Sequence, residues 1–426
     1  MKQRIFITAA DCLTSLGDNL TQTWDSIIAG KSGIAPTTLW DCSEWEYPLV
    51  AEVKNYNPRK MLADRKLLKM LSRHDVIGLK ITDDVVKQSG LLEYRDSLAD
   101  TNEFNFRTGL FVASAGSKFC QQNDLHPLLA AAKGDLKKYG SAMFDIVHPM
   151  WLLRILSNNV IAYAGIKYQF RGTNQNVVNH AVSGIQAIAE AQHAIEQGVI
   201  DRALVIGYES AIEPEGQMYY ASMNLLSPNR LSSFDKTANG TILGEGAGAL
   251  MLENQASVQA RQAPVLGEIL SSTSACEAQG TLQLKPNGEG ITQIMQDLLA
   301  KAAMPLSDLG MITAHANANK PSDASELSGY KALNEAQDDL PPITGFKGYI
   351  GHTVAAAGVV ETILTLKALQ TNTIPGVLHL QQACPEVENL KISAQTQRPK
   401  SATAAVINRA FASVNAGVLL RAEPSK

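Results

Sequence analysis

The sequence predicts an α/β fold that is built twice, because strand-like and helix-like stretches alternate and the alternation begins again in the second half. In the first half, β-rich runs cover residues 4–8, 110–113, 203–207 and 247–252, with helical patterns at 152–164 and 183–197. The second cycle has strands at 265–270, 310–314, 405–408 and 417–420, and a helix at 291–303. No linker or low-complexity segment separates the cycles. We therefore expect two fused halves, residues 1–254 and 255–426.

Composition and charge favour a globular protein with a large core. The chain has 426 residues, of which 45% are hydrophobic and 18% are charged. A formal net charge of −4 gives no electrostatic case for nucleic-acid binding, although a local basic patch can still serve an acidic carrier protein. The apolar run near the N-terminus is too short for a signal peptide, and no stretch is long enough to cross a bilayer. The sequence therefore predicts no membrane span.

Cysteine usage predicts a reduced, cytoplasmic protein. The cysteines are scattered, lack metal-ligand spacing and are odd in number, at positions 12, 42, 120, 276 and 384. None lies at a recognisable strand-to-helix turn, where a nucleophile is expected. We interpret them as small buried hydrophobic residues and expect no metal site.

A strand-to-helix turn near residue 181 has a methyl group where a nucleophile would be useful. The segment Asn176-Val-Val-Asn-His180-Ala181-Val-Ser183-Gly184 precedes apolar residues at helical spacing, and Gly198 is suited to end that helix. A side chain at position 181 would face unpaired backbone N–H groups and the positive end of the helix dipole. These groups would lower the pKa of a cysteine and hold a thiolate ready for acyl transfer. Ala181 cannot do this chemistry.

Several motifs carry a family resemblance. Ala314-His315-Ala-Asn317-Ala-Asn319, which leads to Asp323 and Glu326, resembles the histidine loop of the β-ketoacyl-ACP synthases of the thiolase superfamily. The segment Lys347-Gly-Tyr-Ile-Gly351-His352 resembles their second histidine motif, and Leu243-Gly-Glu-Gly-Ala-Gly248 fits the same family. The resemblance runs from about residue 3 to residue 422 with the motifs in the expected order. It implies a thiolase-like duplicated fold, a five-layer α/β/α/β/α sandwich.

The resemblance also implies roles for the site residues. In a working synthase a cysteine at the position of Ala181 takes the acyl chain, while histidines matching His315 and His352 assist decarboxylation of malonyl-ACP and stabilise the enolate. Imidazole suits this work because it can donate a hydrogen bond to a developing oxyanion near neutral pH. Lys347 matches the lysine of the motif, and Glu326 matches the acid expected to hold it; Asp323 matches a second acid. No cofactor is implied, because the substrates are carried on the phosphopantetheine of the acyl carrier protein.

The loops around the site depart from the family pattern. Asn179-His180-Ala181-Val182-Ser183 stands where the family has Thr-Ala-Cys-Ser/Thr-Ser, and Ala316-Asn317-Ala318-Asn319 replaces Gly-Thr-x-Thr. Near the C-terminus, Ala410-Phe411-Ala412-Ser413-Val414-Asn415 replaces Gly-Phe-Gly-Gly-Thr-Asn. Phe411 matches the gating phenylalanine, and the N–H groups of 181 and 411 match the oxyanion hole. Because the added Cβ atoms restrict the backbone, we expect a stiffer gate.

This combination resembles the chain-length factor of type II polyketide systems, a subunit without the active cysteine that pairs with a competent synthase. The resemblance implies a heterodimer with a cysteine-bearing ketosynthase paralogue and contact with an acyl carrier protein. Its nearest match in kind, the factor of the aryl polyene pathways, implies a conjugated product. Positions matching the dimer-facing tunnel wall are Phe119, Met150 and Trp151. Large apolar side chains serve a tunnel end and an ordinary core equally well, so both interpretations stay open.

Two other functions compete with this one. A cysteine-lacking homologue can decarboxylate malonyl-ACP with His315 and His352 without elongating a chain. Alternatively, the chain is a true condensing enzyme, either with an unrecognised nucleophile or as a laboratory Cys→Ala variant whose activity Ala181→Cys would restore. Drift in three separate loops argues against a laboratory variant, because such a variant would keep the loops intact. We expect the chain alone to lack condensing activity.

Overall fold

The computed structural model describes residues 3–116, 121–337 and 340–423. The strands are β1 (Ile5–Thr14), β2 (Ile34–Pro36), β3 (Leu49–Ala51), β4 (Thr108–Ala113), β5 (Asn174–Val177), β6 (Arg202–Ser210), β7 (Glu245–Asn254), β8 (Gly267–Cys276), β9 (Met311–Thr313), β10 (Ile343–Thr344), β11 (Thr403–Ala410) and β12 (Val414–Ala422). The helices are α1 (Leu20–Ile28), α2 (Pro58–Met61), α3 (Arg73–Gln88), α4 (Leu91–Asp96), α5 (Asn102–Phe106), α6 (Gln121–Ala131), α7 (Leu136–Ile146), α8 (Trp151–Ile155), α9 (Asn159–Tyr168), α10 (Ser183–Glu196), α11 (Pro214–Ser222), α12 (Gln255–Arg261), α13 (Glu289–Lys301), α14 (Lys320–Gln337), α15 (Lys347–Ile350) and α16 (Ala357–Gln370).

The main sheet repeats one strand order in both halves. Among the described residues its order is β10-β9-β11-β12-β8-β1-β7-β6-β4-β5. Each half contributes five strands to this sheet. When these five strands are numbered in chain order, both halves have the order 3-2-4-5-1 from the outer edge of the sheet to its centre. The halves meet where β1 pairs antiparallel with β8 over residues 5–7 and 267–269. The predicted duplication is therefore confirmed.

The elements stack in five layers, as the resemblance implied. Helices α10 and α16 pack against each other between the two halves of the sheet, and the central apolar core surrounds them. Helices α3 and α9 cover the outer face of the N-terminal half around a second core. Helix α13, with α14 packed on it, covers the outer face of the C-terminal half around a third core. The molecule is an α/β/α/β/α sandwich.

The two central helices cross at glycines, which brings their N-terminal ends together. A Cβ atom on Gly184 would lie 2.7 Å from the backbone nitrogen of Val359, and one on Gly358 would lie 2.5 Å from that of Ile185. Backbones can approach this closely only where both residues lack side chains. The turns that precede α10 and α16 consequently meet in the middle of the molecule.

Most of the predicted elements are confirmed, but the single helix predicted over residues 152–164 is wrong. The chain forms α8 and α9 instead, with Leu156 extended at ψ 130° between them. Asn158 precedes the first residue of α9, and the side-chain amide of Asn159 donates to the carbonyl of Leu153 at 2.6 Å. Asparagine side chains compete with helical hydrogen bonding in this way, so a helix boundary forms within an apolar pattern.

Burial of the cysteines agrees only in part with the prediction. Cys12 is buried, Cys42 and Cys384 are partly buried, and Cys276 is exposed, so the prediction of a buried thiol is wrong for Cys276. Cys120 lies outside the described residues. Within the described ranges, no helix is long and apolar enough to cross a membrane.

Candidate active site

The turn before α10 holds position 181 at the centre of the molecule. Residues His180–Val182 form a single 3₁₀ turn, and His180 adopts a left-handed backbone conformation with φ +52°. The hydroxyl of Ser183 accepts the N–H of Asn179 at 2.7 Å and donates to the carbonyl of His180 at 2.8 Å. Ala181 is completely buried. The predicted strand-to-helix turn is present, and a methyl group occupies its critical position.

The ring of His180 turns toward the gate and the second histidine. It stacks on Phe411 with ring centroids 4.1 Å apart, its Nε2 hydrogen-bonds the hydroxyl of Tyr220, and its edge faces His352. Burial lowers the pKa of His180 to about 4, so the ring is neutral at physiological pH. The ring therefore lies among Tyr220, His352 and Phe411 in the centre of the site.

His315 and His352 lie next to each other with ring centroids 5.3 Å apart. Nδ1 of His315 accepts the N–H of Arg409 at 3.3 Å, and Nδ1 of His352 accepts the N–H of Val354 at 3.2 Å. Burial first, and then the positive charge of Lys347, lower both pKa values well below the usual range. A neutral imidazole that accepts at Nδ1 carries its proton on Nε2. Both rings can therefore donate a hydrogen bond to an oxyanion.

Lys347 is held by a residue that the sequence interpretation missed. Its ammonium group donates to Glu361 at 2.6 Å in a pair that is 1% exposed on either side. The other oxygen of Glu361 accepts the side-chain amide of Asn408 at 2.7 Å. Burial raises the pKa of Glu361 in spite of these bonds. A signal was present, because Glu361 is a lone acid within the apolar stretch that forms α16, and a buried acid requires a partner.

The prediction that Glu326 holds Lys347 is therefore wrong. Its two carboxylate oxygens accept the backbone N–H groups of His315 and Ala316 at 2.8 and 2.9 Å, and one of them also accepts the Tyr330 hydroxyl at 3.0 Å. A carboxylate satisfies two adjacent backbone donors well, so it fixes the loop that bears His315. Glu326 positions a histidine rather than the lysine.

Asp323 ties the same loop to a neighbouring segment. Its Oδ2 accepts the N–H of Phe234 at 2.9 Å, and the side chain is buried. Burial raises the pKa of Asp323 to about 7, with the nearby Glu326 charge acting in the same direction. These contacts indicate a structural role in the first turn of α14.

The loop that carries Phe411 keeps the shape of a glycine loop without the glycines. Ala412 and Ser413 have φ of +59° and +54°, and Ala316 in the histidine loop has φ +46°. Each of these replaces a glycine of the family motif. Ala412 donates its N–H to Thr281 at 2.7 Å, and the Ser413 hydroxyl accepts the N–H of Gln279 at 3.0 Å. The gate loop is held by the segment that runs from β8 to α13.

These groups enclose a cavity of about 70 Å³, whereas ligand pockets commonly reach ~300–1,000 Å³. Its walls include the three histidines, Tyr220, Phe411 and Arg409. Arg409 is a second residue that sequence reasoning missed: it is 2% exposed and donates to Glu277 at 3.0 Å and to Asn415 at 2.8 Å. The cavity can hold the thioester end of a substrate, but it leaves little room for an acyl chain.

Two of the predicted tunnel residues, Met150 and Trp151, do not line this cavity. Met150 and Trp151 are partly buried at the start of α8, where Trp151 donates its N–H to the His148 carbonyl at 2.8 Å. Phe119 lies outside the described residues. A tunnel role for all three stays a prediction.

Comparison with known proteins identifies the class. The N-terminal domain model of the β-ketoacyl synthases matches residues 2–257, and their C-terminal domain model matches residues 266–381. The chain belongs to the β-ketoacyl synthase family. It is 26% identical over 392 residues to the 3-oxoacyl-[acyl-carrier-protein] synthase 2 of Coxiella burnetii, with 89% of each chain covered. The predicted boundary between halves at residue 254 stays a prediction.

Solved structures agree on the fold. A β-ketoacyl synthase from Burkholderia phymatum superimposes with a TM-score of 0.85 at 19% identity, covering 99% of this chain and all of the other. The ishigamide ketosynthase/chain length factor superimposes with a TM-score of 0.86 at 21% identity and the same coverage. The fold is thiolase-like, and the sequence is similar to those of β-ketoacyl-ACP synthases.

Proposed function

We propose that this chain is a chain-length factor, a subunit without a nucleophile that pairs with a cysteine-bearing ketosynthase to elongate chains on an acyl carrier protein. The observation that carries the proposal is the turn before α10. Ala181 supplies no thiol, and the ring of His180 occupies the space between Phe411, Tyr220 and His352. Covalent acyl transfer needs both a nucleophile and a path for the acyl chain.

An apolar surface supports the pairing. Strand β5 is the outer edge of the N-terminal half, and Val178 just beyond it is 47% exposed. None of the described side chains of α7 is buried, and Leu136 and Phe144 on it are 77% and 86% exposed. Unpaired strand edges and large exposed apolar side chains are typical of interfaces. A similar chain seated on this edge would continue the sheet.

A basic segment supports contact with a carrier protein. Five exposed cations lie within eleven residues near α2, at Arg59, Lys60, Arg65, Lys66 and Lys69, with Asp64 as the single acid among them. Such a cluster attracts an acidic partner over a range set by the ionic strength. This segment is our candidate for docking the acyl carrier protein.

A second part of the proposal concerns product length. We propose that Met150, Trp151 and Phe119 close the far end of the partner's acyl tunnel, which rejects further units when it cannot take more volume. Trp151→Ala should then lengthen the product of the complex, while Trp40→Ala, a partly buried tryptophan elsewhere, should not. Unchanged product length in an intact complex would reject this assignment.

The deciding experiment is co-expression with a cysteine-bearing synthase of the same organism. Size-exclusion chromatography and intact mass should show a one-to-one complex, and malonyl-ACP elongation should need both chains. Because the proposed role is not catalytic, His315→Ala in this chain should leave elongation by the pair intact. A self-sufficient homodimer that elongates chains would overturn the proposal.

The paired histidines favour a second candidate, decarboxylation of malonyl-ACP. His315 and His352 are neutral and present Nε2–H donors, which is what an enolate oxygen requires. Carbon dioxide would leave, and the enolate would take a proton to give acetyl-ACP. This candidate predicts acetyl-ACP formation by the chain alone and its loss with His315→Ala. Absence of acetyl-ACP above the uncatalysed rate would eliminate it.

A further inference from the structure

Arg409 lies at the base of the loop that carries Phe411. Strands β11 and β12 pair up to this loop, with Arg409 opposite Asn415, and we call residues 409–415 the gate hairpin. Nε of Arg409 donates to the side-chain oxygen of Asn415 at 2.8 Å, across the hairpin. Both residues are buried. Side chains inside the protein therefore fix the base of the gate hairpin in addition to the strand pairing.

Arg409 joins the gate hairpin to helix α14 and to the segment between β8 and α13. Its Nη1 donates to the carbonyl of Ser322 at 3.0 Å, and its Nη2 donates to the hydroxyl of Ser325 at 3.1 Å; both serines belong to α14. Nη2 also donates to Glu277 at 3.0 Å. Glu277 is the first of residues 277–285, which lie between β8 and α13 and which we call the cover segment. Because a guanidinium group is a planar fork with donors on three nitrogens, one side chain can hold three segments together.

Glu277 completes the cluster from the cover segment. The carboxylate oxygen that accepts Arg409 also accepts the side-chain amide of Asn415 at 2.8 Å, and the other oxygen accepts the N–H of Lys285 at 2.6 Å. The N–H of Glu277 donates to the carbonyl of Ser413, in the turn of the gate hairpin, at 2.9 Å. Hydrogen bonds to charged groups are stronger than those between neutral groups. Arg409 and Glu277 thus bind the stem and the turn of the gate hairpin to the cover segment.

Helix α13 has a glycine where it meets this cluster. A Cβ atom on Gly290 would lie 2.2 Å from a carboxylate oxygen of Glu277 and 2.5 Å from the side-chain nitrogen of Asn415, so a larger residue would displace them. Glycine is a poor helix former. The chain therefore accepts a weaker first turn of α13, which leaves room for the ion pair.

The segments that the cluster joins form much of the cavity wall. Phe411 and Ser413 come from the gate hairpin, residues 281–284 come from the cover segment, and Ser322 comes from α14. Phe411 in turn stacks on His180, the residue before position 181. Movement of the gate hairpin away from the cover segment would therefore widen the cavity and uncover position 181.

We propose that Arg409 and Glu277 are positioning residues that hold the gate hairpin closed and so set the size of the group that the cavity admits. Separating the pair would leave a buried charge without its partner, which is strongly unfavourable, so the closed state is favoured. The closed hairpin leaves room for the thioester end of a substrate but little for an acyl chain. This inference goes beyond the proposed function, because it applies to the same cavity whether the chain is a chain-length factor or a decarboxylase.

The test removes both charges and measures access to position 181 in the full-length chain. Cys276→Ser removes the exposed thiol beside the gate hairpin, and Ala181→Cys then provides the reporter thiol. Alkylation of the reporter by iodoacetamide is followed by peptide mass spectrometry. Arg409→Met/Glu277→Gln leaves neither charge unpaired and should raise the alkylation rate by on the order of 10-fold or more, since hydrogen bonds to charged groups shift an equilibrium by at least that factor.

The matched control is the ion pair between Arg261 and Glu253. This pair is also buried, at 4% and 0% exposure, and it joins α12 to β7 in the N-terminal half. Arg261→Met/Glu253→Gln should leave the alkylation rate within about twofold, because distant sites act independently.

Hydrogen exchange of the same proteins separates positioning from general destabilisation. In Arg409→Met/Glu277→Gln, amide exchange in the gate hairpin and the cover segment should rise by on the order of 10-fold, while exchange in β6 stays within about twofold. Unchanged alkylation in the folded double variant, or a uniform rise of exchange along the chain, would overturn the inference.

A second variant decides if the double variant does not fold. Glu277→Gln is isosteric, and its amide nitrogen must face one of the N–H donors that the carboxylate now accepts, so both measurements should move in the same direction. Unchanged alkylation and exchange in this variant would reject the inference. Because neither measurement needs a partner chain, failure of the proposed pairing would leave the result unaffected.

Discussion

The two halves build their central turns alike and use them differently. The 3₁₀ turn His180–Val182 leads into α10, and the turn Val354–Ala356 leads into α16. Corresponding residues are 174 positions apart, from 180 to 354, from 183 to 357 and from Gly184 to Gly358. The first residue of each turn has positive φ, +52° at His180 and +40° at Val354.

The two halves differ in the side chains that lie at and near these turns. In the C-terminal half, His352 lies two residues before the turn and accepts the N–H of Val354. Lys347 and Glu361 form a buried ion pair in the same half. In the N-terminal half, the turn holds an alanine and a histidine whose ring stacks on Phe411. Because duplicated backbone packing sets the turn geometry, the nucleophile can be absent without loss of the fold.

Restoring the thiol should show how far the two turns have diverged. We expect Ala181→Cys alone to remain unacylated by acyl-ACP, because the ring of His180 blocks the approach to the new sulfur. His180→Ala/Ala181→Cys should acquire an acyl group at least ~100-fold faster, because the thiolate that the helix start favours in both variants is then accessible to the thioester. Intact-mass kinetics measure both. Equal acylation of the single and double variants would contradict the blocking role and favour a simple Cys→Ala variant.

Breaking the ion pair between Lys347 and Glu361 should lower the free energy of unfolding. Lys347→Ala leaves Glu361 buried without its cation, and loss of one partner of a buried pair costs ~3–5 kcal/mol. Lys347→Met/Glu361→Gln removes both charges and should recover part of that loss. Urea unfolding of the three proteins measures the differences. A loss below 1 kcal/mol for Lys347→Ala would show that the pair is not important for folding.

The pH dependence of stability should reflect the neutral state of His180. Its folded pKa of about 4 lies below the unfolded value near 6.5, so the unfolded state binds more protons in between. Stability contributed by the neutral ring is therefore present above pH 6.5 and is lost as the pH falls toward 4. Over this window His180→Gln should lose roughly 3 kcal/mol less than the wild type.

Comparison with the variant is needed because Asp323, whose raised pKa is about 7, acts in the opposite direction between pH 4 and 7. Denaturant titrations at half-unit steps of pH measure the difference. Parallel pH curves for His180→Gln and the wild type would show that His180 does not titrate abnormally.

The smallest effect concerns the gate loop. Ala412 adopts a left-handed conformation, so Ala412→Gly should relieve strain and stabilise the protein by ~0.5 kcal/mol, after the greater chain entropy of glycine is offset. Ala410→Gly, at a position in β11 without positive φ, is the matched control and should destabilise by ~0.5–1 kcal/mol. Thermal unfolding distinguishes the two. Destabilisation by both substitutions would show that residue 412 carries no strain.

The sequence was sufficient for the layered, duplicated fold and for the histidines, because periodicity and short motifs are local. It was insufficient where partners are distant in the chain. Glu326 lies close to His315 in sequence and was paired with the wrong residue, while the true partner of Lys347 lies on α16. The direction of His180 depends on Tyr220 and Phe411, which come from other elements, so no local pattern could have predicted it.

The first strand, β1, must wait during synthesis for the strands with which it pairs. Strand β1 pairs with β7 and β8, whose residues lie about 240 to 260 positions further along. At a translation rate of ~5–20 residues per second, the apolar N-terminal strand waits roughly 12–50 s for its neighbours. During that time it is an unpaired strand on the ribosome, and contacts of such long range also slow folding. Production of this protein should therefore depend on chaperone capacity and on the speed of synthesis.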